Sequence, residues 1–148
     1  MNHDLNENTA ELMPKSLGDI IRLNRDLAEL RLAKTAEIDT LVGNIESATG
    51  AKDEIGNWRL VSLIDKTSHT AQVLLIGDSS ARQHPAITSP ILRIDFAKGI
   101  VLTRSQSVYK LGNRGLGEPP EDDLLCLCAA LHRWGSGPAL GVPNIGYS

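Results

Sequence analysis

Residues 90–104 constrain the fold of this chain more than any other segment. Apolar and charged side chains alternate along residues 92–96, which read Leu-Arg-Ile-Asp-Phe, and a period of two is that of a strand with one buried face. A second apolar run occupies residues 100–104. Between the two runs lies Ala97-Lys98-Gly99, whose glycine can supply the positive φ angle of a type I turn with a G1 bulge. The segment therefore predicts a β-hairpin.

Three further runs extend this hairpin into a sheet. Residues 58–65 and 71–76 are rich in residues that favour strands, and residues 66–69 between them can form a hairpin loop. Residues 107–111 can add a fifth strand. We therefore predict an antiparallel meander of about five strands.

Two sets of apolar residues before the sheet have helical spacing. The first set predicts a helix over residues 17–33, capped by Ser16, and it comprises Leu17, Ile20, Leu23, Leu27 and Leu30. The second set predicts another helix, with Thr35 as its cap and Gly50 as its stop, and it comprises Ile38, Leu41, Val42 and Ile45. One long bent helix is an alternative to two N-terminal helices.

A third helix is predicted at residues 124–134. Pro120 and three acidic residues precede it, and carboxylates there favour the positive end of a helix dipole. Gly135 can end this helix. The chain is thus predicted to be of the α+β class, with a disordered lead-in at residues 1–15, one domain at residues 16–134 and an irregular tail at residues 135–148.

Composition favours one small cytoplasmic domain. The chain has 148 residues, of which 41% are hydrophobic, and this is enough for one core. Its apolar stretches fall well short of the roughly 20 residues of a membrane span, so we expect no membrane contact. The N-terminal residues contain acids and no apolar run, unlike a secretory signal. Two cysteines within one apolar segment are typical of a reducing compartment.

Cys126, Cys128 and His132 raise the alternative of a metal site, since thiolates and imidazoles are the usual zinc ligands. Residues two apart on a helix point about 200° apart, so only Cys128 and His132 share a face. We therefore predict buried structural cysteines, no metal site and no cofactor.

The charge distribution suggests a binding surface. Residues 82–114 contain six basic residues and one acid, a net charge of +5, whereas the whole chain has a net charge of −3. Such a segment can attract an anionic partner, although basic side chains also serve merely to solvate sheet edges. The candidate ligand-binding residues are Arg93, Arg104, Tyr109, Lys110 and Arg114. Nucleic acid is a less favoured partner than a protein, because no ladder of aromatic residues accompanies the cations.

Residues 77–89 offer an enzymatic alternative. This segment is long for a loop in a compact domain, and long loops are often functional. Its Asp78, His84 and Ser89 are candidates for the orienter, base and nucleophile of a hydrolase. Their closeness in sequence is weak support, since such roles depend on spatial geometry.

A set of short motifs resembles a family of short uncharacterised proteobacterial proteins, a domain of unknown function. The motifs are Trp58-Arg59, His84-Pro85, Thr88-Ser89, Asp95, Thr103-Arg104 and Tyr109-x-Leu111-Gly112. The resemblance covers residues 17–117. It implies a bacterial cytoplasmic protein that is sometimes carried on plasmids, and it implies no activity.

The sequence thus leaves the function open. We interpret the chain as a non-catalytic bacterial accessory or regulatory module that binds a protein or another anionic partner. A small hydrolase and a nucleic-acid-binding protein are the alternatives.

Overall fold

A single sheet of seven strands organises the computed structural model, which describes residues 13–46 and 50–144. The fold is therefore a mixture of α and β structure. The strands are β1 Ala28–Leu32, β2 Asp53–Asp65, β3 Thr70–Ser79, β4 Pro85–Ile87, β5 Ile91–Asp95, β6 Ile100–Thr103 and β7 Val108–Leu111. Two α-helices occur within the described ranges, α1 Thr35–Asp39 and α2 Glu121–Arg133, and a 3₁₀ turn spans Leu17–Asp19.

The long strand β2 holds the sheet together. The strand order is β4-β3-β2-β7-β6-β5, and β1 also pairs with β2. β2 pairs with β3 along one edge, while its other edge is shared between β7 at its start and β1 at its end. The pairing with β7 is parallel, with Asp53 opposite Tyr109 and Ile55 opposite Leu111. The predicted five-stranded antiparallel meander therefore differs from the observed sheet, because a strand of 13 residues offers enough edge for two partners.

A bulge in β2 bends the sheet. The register with β3 shifts between Gly56 and Arg59, and Asn57 there has a φ angle of 47°. An extra residue on one strand increases the local twist and bend. Gly77 lies opposite the bulge, where an added Cβ would be 2.6 Å from the carbonyl oxygen of Gly56. Only glycine fits at this position without movement of the backbone.

The chain beyond β4 brings β5 next to β3. The backbone N–H of Thr88 donates to the carbonyl oxygen of Leu75, at 3.0 Å, and its hydroxyl accepts from the N–H of Leu75, at 3.2 Å. These bonds lead the chain from the edge of β3 into β5, which contacts β3 directly. The sheet therefore has an inner and an outer face.

Each face has its own hydrophobic core. The inner core consists of Ile55, Trp58, Leu60, Val73, Leu75, Ile91, Ile94 and Val101. The outer core joins β2 and β3 to α2 and to the N-terminal segment, and it consists of Leu17, Ile20, Ile21, Leu30, Val61, Leu74, Ile76, Leu124, Leu127, Cys128, Leu131 and Val142. Burial of this apolar surface is the main favourable term in folding.

The predicted helix over residues 17–33 is wrong. The chain forms the 3₁₀ turn, reverses at Asn24, which has a φ angle of 57°, and then enters β1. Leu30 is buried there, while Glu29 is exposed. The leucine spacing suits a helix, but in residues 28–32 apolar and charged residues also alternate, and pairing with β2 favours the strand.

The predicted second helix is reduced to the five residues of α1. The carboxylate of Glu37 accepts two hydrogen bonds from Arg31 of β1, at 2.8 and 2.6 Å, and this pair ties α1 to the strand before it. Residues 41–43 then lie along β5 instead of continuing the helix. The N–H of Ile94 donates to the oxygen of Leu41, at 2.8 Å, and the N–H of Gly43 donates to the oxygen of Ile94, at 2.9 Å.

The C-terminal helix is present and begins three residues earlier than its predicted start at Leu124. It ends as predicted, since Gly135 has a φ angle of 88° and donates its N–H to the oxygen of His132, at 3.1 Å. Residues 136–144 contain neither helix nor strand. The remaining four residues of the predicted tail, and residues 1–12 of the predicted lead-in, lie outside the described residues. No helix in the described part of the chain is long and apolar enough to cross a membrane.

The segment after α2 is tied to the N-terminal segment. The N–H groups of Arg22 and Leu23 donate to the carbonyl oxygen of Leu140, at 2.8 and 2.9 Å. The side chain of Asn24 donates to the oxygen of Ala139, at 2.7 Å. These bonds connect parts of the chain that are more than 100 residues apart in sequence.

Candidate functional site

A cavity of about 610 Å³ lies between β4 and α2. It exceeds the cavity of about 350 Å³ beside β1 and β2 and that of about 330 Å³ beside α1. We call it the β4–α2 cleft, and its lining residues are Arg82, His84, Pro85, Ala86, Ile87, Cys126, Ala129 and Arg133. The volume is within the range of about 300–1,000 Å³ that is typical of ligand sites.

The loop of residues 80–84 presents two of these side chains. Asp53 fixes the start of the loop, because its carboxylate accepts hydrogen bonds from the hydroxyl of Ser79 and from the N–H of Ala81, the latter at 3.0 Å. The N–H of Arg82 donates to the Ser79 hydroxyl, at 3.1 Å. The backbone that carries Arg82 and His84 is therefore held in place.

The helix supplies the opposite wall of the cleft. Cys126, Ala129 and Arg133 follow one another at spacings of three and four residues, so they form one stripe along α2. The first two side chains are small and leave space beside the strand. Arg133 lies in the last turn of α2 and extends this stripe with a positive charge.

The lining of the cleft is cationic. It includes two guanidinium groups and an imidazole, and it includes no carboxylate. Among residues 13–46 and 50–144, no ion pair involves Arg82 or Arg133. Desolvation alone would raise the pKa of Asp53, but the hydrogen bonds that its carboxylate accepts and the nearby charge of Arg82 together lower that pKa. Arg133 thus brings a positive charge without a neighbouring acid in ion-pair contact.

The thiol in the cleft is not activated. Burial raises the pKa of Cys126, and the nearby charge of Arg133 only partly opposes this effect. The sulfur lies 3.8 Å from the carbonyl oxygen of Pro85, and the Nδ1 atom of His84 lies 2.7 Å from the same oxygen. Cys126 is therefore protonated near neutral pH, and a thiol is a much weaker nucleophile than a thiolate.

The three residues of the hydrolase alternative have separate partners. Ser89 donates its hydroxyl to that of Ser105, at 3.0 Å, while His84 contacts Pro85 and Asp78 is exposed. No side-chain hydrogen bond joins any two of Asp78, His84 and Ser89 within the described residues. The segment 77–89 is also not one long loop, because β3 extends to Ser79 and β4 occupies Pro85–Ile87.

The five predicted ligand-binding residues also have different surroundings. Lys110 lies 3.5 Å from the carboxylate of Glu54, and Arg93 donates to the carbonyl oxygen of Asn44, at 3.3 Å. Arg114 stacks over the ring of Trp58, 5.0 Å from its centroid. Arg104 lines a separate cavity beside α1, and Tyr109 packs against the inner core. None of the five lines the β4–α2 cleft.

Sequence reasoning missed Arg133, which lies 51 positions after Arg82 in the printed sequence. Arg82 belongs to the basic segment but was not among the predicted ligand-binding residues. The sequence does contain one signal for this site, which is the stripe of small residues on α2 that ends in Arg133. The stripe alone does not indicate which strand the helix packs beside.

A second polar feature lies at the start of α2. Asp123 is only 1% exposed, and its Oδ2 atom has no hydrogen-bond partner within the described residues. Desolvation raises the pKa of Asp123 to about 6, the charges of Asp78 and Asp122 add to this effect, and Arg59 opposes it. A carboxylate at this helical position usually accepts from the N–H of the N-cap residue, but the N-cap is Pro120, which has none.

Cys126 and Cys128 lie on different sides of α2, as the helical spacing predicts. Cys128 lies in the outer core, where burial raises its pKa to about 11, whereas Cys126 faces the cleft. The Nε2 atom of His132 lies 2.8 Å from the carbonyl oxygen of Val142. In residues 13–46 and 50–144, no three or more of the His, Cys, Asp and Glu side chains form a group able to hold a metal ion.

Comparison of the chain with family models, with curated proteins and with solved structures gave no match. The resemblance to short proteobacterial proteins therefore stays a prediction, and the candidate site depends on geometry alone.

Proposed function

We propose that the protein is a non-catalytic binding module that holds an anionic partner in the β4–α2 cleft. The observation that carries this proposal is the convergence of Arg82, His84 and Arg133 on one cavity without a lining carboxylate. The accessory or regulatory role in a bacterial cytoplasm is part of the same proposal.

The physical basis is electrostatic. A cleft lined by charges of one sign, with protein walls of low dielectric constant, concentrates the electric field and attracts ligands of the opposite sign. Guanidinium groups also bind carboxylates and phosphates through paired hydrogen bonds, which are stronger than those between neutral groups. The chain has a net charge of −3, so the attraction is local to the cleft.

Two observations favour binding over catalysis or contact with nucleic acid. The cleft brings no activated nucleophile to His84, since the thiol of Cys126 has a raised pKa and Ser89 bonds elsewhere. The cations line one cavity rather than a continuous track along which a nucleic-acid backbone would bind.

Nuclear magnetic resonance titration of the isotope-labelled protein tests the proposal. The probes are inorganic phosphate, citrate and a short oligoglutamate peptide, each added at low ionic strength. We expect at least one probe to shift the backbone amide signals of residues 82–87 and 126–133. Replacement of both arginines, in an Arg82→Gln/Arg133→Gln variant, should weaken this binding by about 10–100-fold, because charge-assisted hydrogen bonds are lost.

Arg104→Gln is the matched control, since it removes an exposed arginine of a different cavity. Binding in this variant should equal that of the natural sequence. The proposal is wrong if none of the three anions shifts signals of the cleft, or if the double variant binds them as tightly as the control.

A further inference from the structure

We propose that the occupant of the β4–α2 cleft is an extended acidic peptide segment of another protein, which adds a strand to the free edge of β4. This inference rests on the proposed function and specifies its partner. It depends on the direction of the backbone groups of β4, on the charge of the cleft and on the shape of its two walls.

The strand register determines which backbone groups are free. β4 pairs with β3 antiparallel, with Ile87 opposite Ile76 and Pro85 opposite Asp78. The neighbouring pairs carry the hydrogen bonds, since Thr88 donates to Leu75 and Ser79 donates to His84. Directly opposed residues in an antiparallel ladder alternate between bonded and non-bonded pairs. The backbone groups of Pro85 and Ile87 therefore point away from β3.

The outward backbone groups of Ile87 form an unpaired edge beside the cleft. β4 is the last strand in the sheet order, and Pro85 and Ile87 both line the cavity. The edge presents the N–H and the carbonyl oxygen of Ile87, whereas the outward carbonyl oxygen of Pro85 already contacts His84 and Cys126. A peptide can form two backbone hydrogen bonds with Ile87, and such bonds supply affinity when a peptide extends a sheet. Pro85 has no N–H, so the one donor of Ile87 sets the register.

The charges select the kind of peptide. Arg82 and His84 precede β4, and Arg133 stands on the helical wall, so acidic side chains on the peptide can meet cations on both sides. A second copy of this chain would place its own Arg82 and Arg133 against these groups. Repulsion of like charges thus disfavours pairing of two β4 edges and favours a different, acidic partner.

The walls also leave room for a small apolar side chain. Ile87 packs against the outer core on one side of the cleft, and Cys126 and Ala129 are small. Successive side chains of a strand point to opposite faces. A peptide in which acidic residues alternate with small apolar ones therefore fits both the charge and the shape of the site.

The test uses a blocked six-residue peptide that alternates glutamate and valine, together with versions that are N-methylated at one amide each. N-methylation removes a hydrogen-bond donor without changing the charge. Because successive amides of a strand point to opposite sides, we expect methylation of an amide that faces Ile87 to weaken binding by about five- to tenfold, as for loss of one hydrogen bond. Methylation of an amide that points away from Ile87 serves as the internal control.

Hydrogen exchange gives an independent measurement. In the complex, exchange of the Ile87 amide should slow by at least about tenfold, since it becomes hydrogen-bonded. The amide of Ala86, which faces β3 in the free protein, should change much less.

The outcomes separate this inference from the proposed function. If all methylated peptides bind equally and Ile87 exchange is unchanged, while the Arg82→Gln/Arg133→Gln variant loses binding, strand addition is overturned and anion binding stands. The same conclusion follows if citrate or phosphate binds in the cleft and the peptide does not. If no anion and no peptide binds there, both proposals fail.

Discussion

Replacement of Asp123 by asparagine removes a buried carboxyl group that has an unpartnered oxygen. Its pKa rises from an ordinary value of 3.8 to about 6, mainly because of desolvation. One unit of pKa corresponds to about 1.4 kcal/mol, so the ionised group destabilises the folded protein by about 3 kcal/mol at pH 8. Asparagine avoids this cost and retains the shape of the side chain, and we expect the variant to be about 2 kcal/mol more stable at that pH.

The sign of the effect determines its pH dependence. The unfolded chain loses this proton near pH 4, whereas the folded protein keeps it until about pH 6. The stability of the natural protein therefore decreases as the pH rises from about 4 to 6, and it then stays lower. The asparagine variant lacks this decrease. The two proteins should have nearly equal stability at pH 4 and should diverge between pH 4 and pH 7.

Urea denaturation at pH 4, 5, 6, 7 and 8 measures both free energies of unfolding. Glu121→Gln is the control, because Glu121 is exposed in the same helical turn and is not among the charges that shift the pKa of Asp123; its replacement should change stability by no more than about 1 kcal/mol at any pH. Asp78→Asn removes one of the like charges and should reproduce part of the gain. A less stable Asp123→Asn protein at pH 8, with a pH profile parallel to that of the natural protein, would refute the reasoning.

Two further predictions concern contacts near the sheet. Glu37→Gln should lower the free energy of unfolding by about 2 kcal/mol at pH 7, because Glu37 accepts hydrogen bonds from Arg31 and Ser62. The bond with Arg31 is the main cause of its low pKa of about 2, so in urea titrations this difference should disappear as the pH falls from about 4.5 towards 2. Arg114→Gln should change the fluorescence of Trp58 and cost about 0.5–1 kcal/mol, whereas Arg114→Lys should lose less; identical spectra for all three proteins would contradict the cation–π contact.

The sequence predicts the locally determined elements of this fold. The turn at Gly99, which has a φ angle of 67°, and the helix that ends at Gly135 depend on neighbouring residues, and both are present. The leucines of residues 17–30 misled the prediction because their spacing fits a helix, while the partners in β2 that decide the matter lie 29 to 37 residues away. The partners in the parallel pairing of β2 with β7 are 56 residues apart.

The site was harder to predict than the fold. The net charge of residues 82–114 predicted one cationic surface, but the basic side chains of this segment lie in different places. Lys110 lies beside Glu54, and Arg114 lies over the ring of Trp58. A cleft forms where a loop meets a helix, so Arg82 and Arg133 converge only once the outer core has formed. Neither periodicity nor motif spacing contains that information.

The bonds from Arg22 and Leu23 to Leu140 have a consequence for the order of folding. Leu17 and Ile20 belong to the same buried cluster as residues of α2 and Val142, so this cluster is incomplete on the ribosome until residue 142 has been made. Because contacts between distant positions form slowly, the outer layer should assemble last. A fragment that stops at residue 137 would lack Leu140 and Val142 and would leave part of the outer core uncovered.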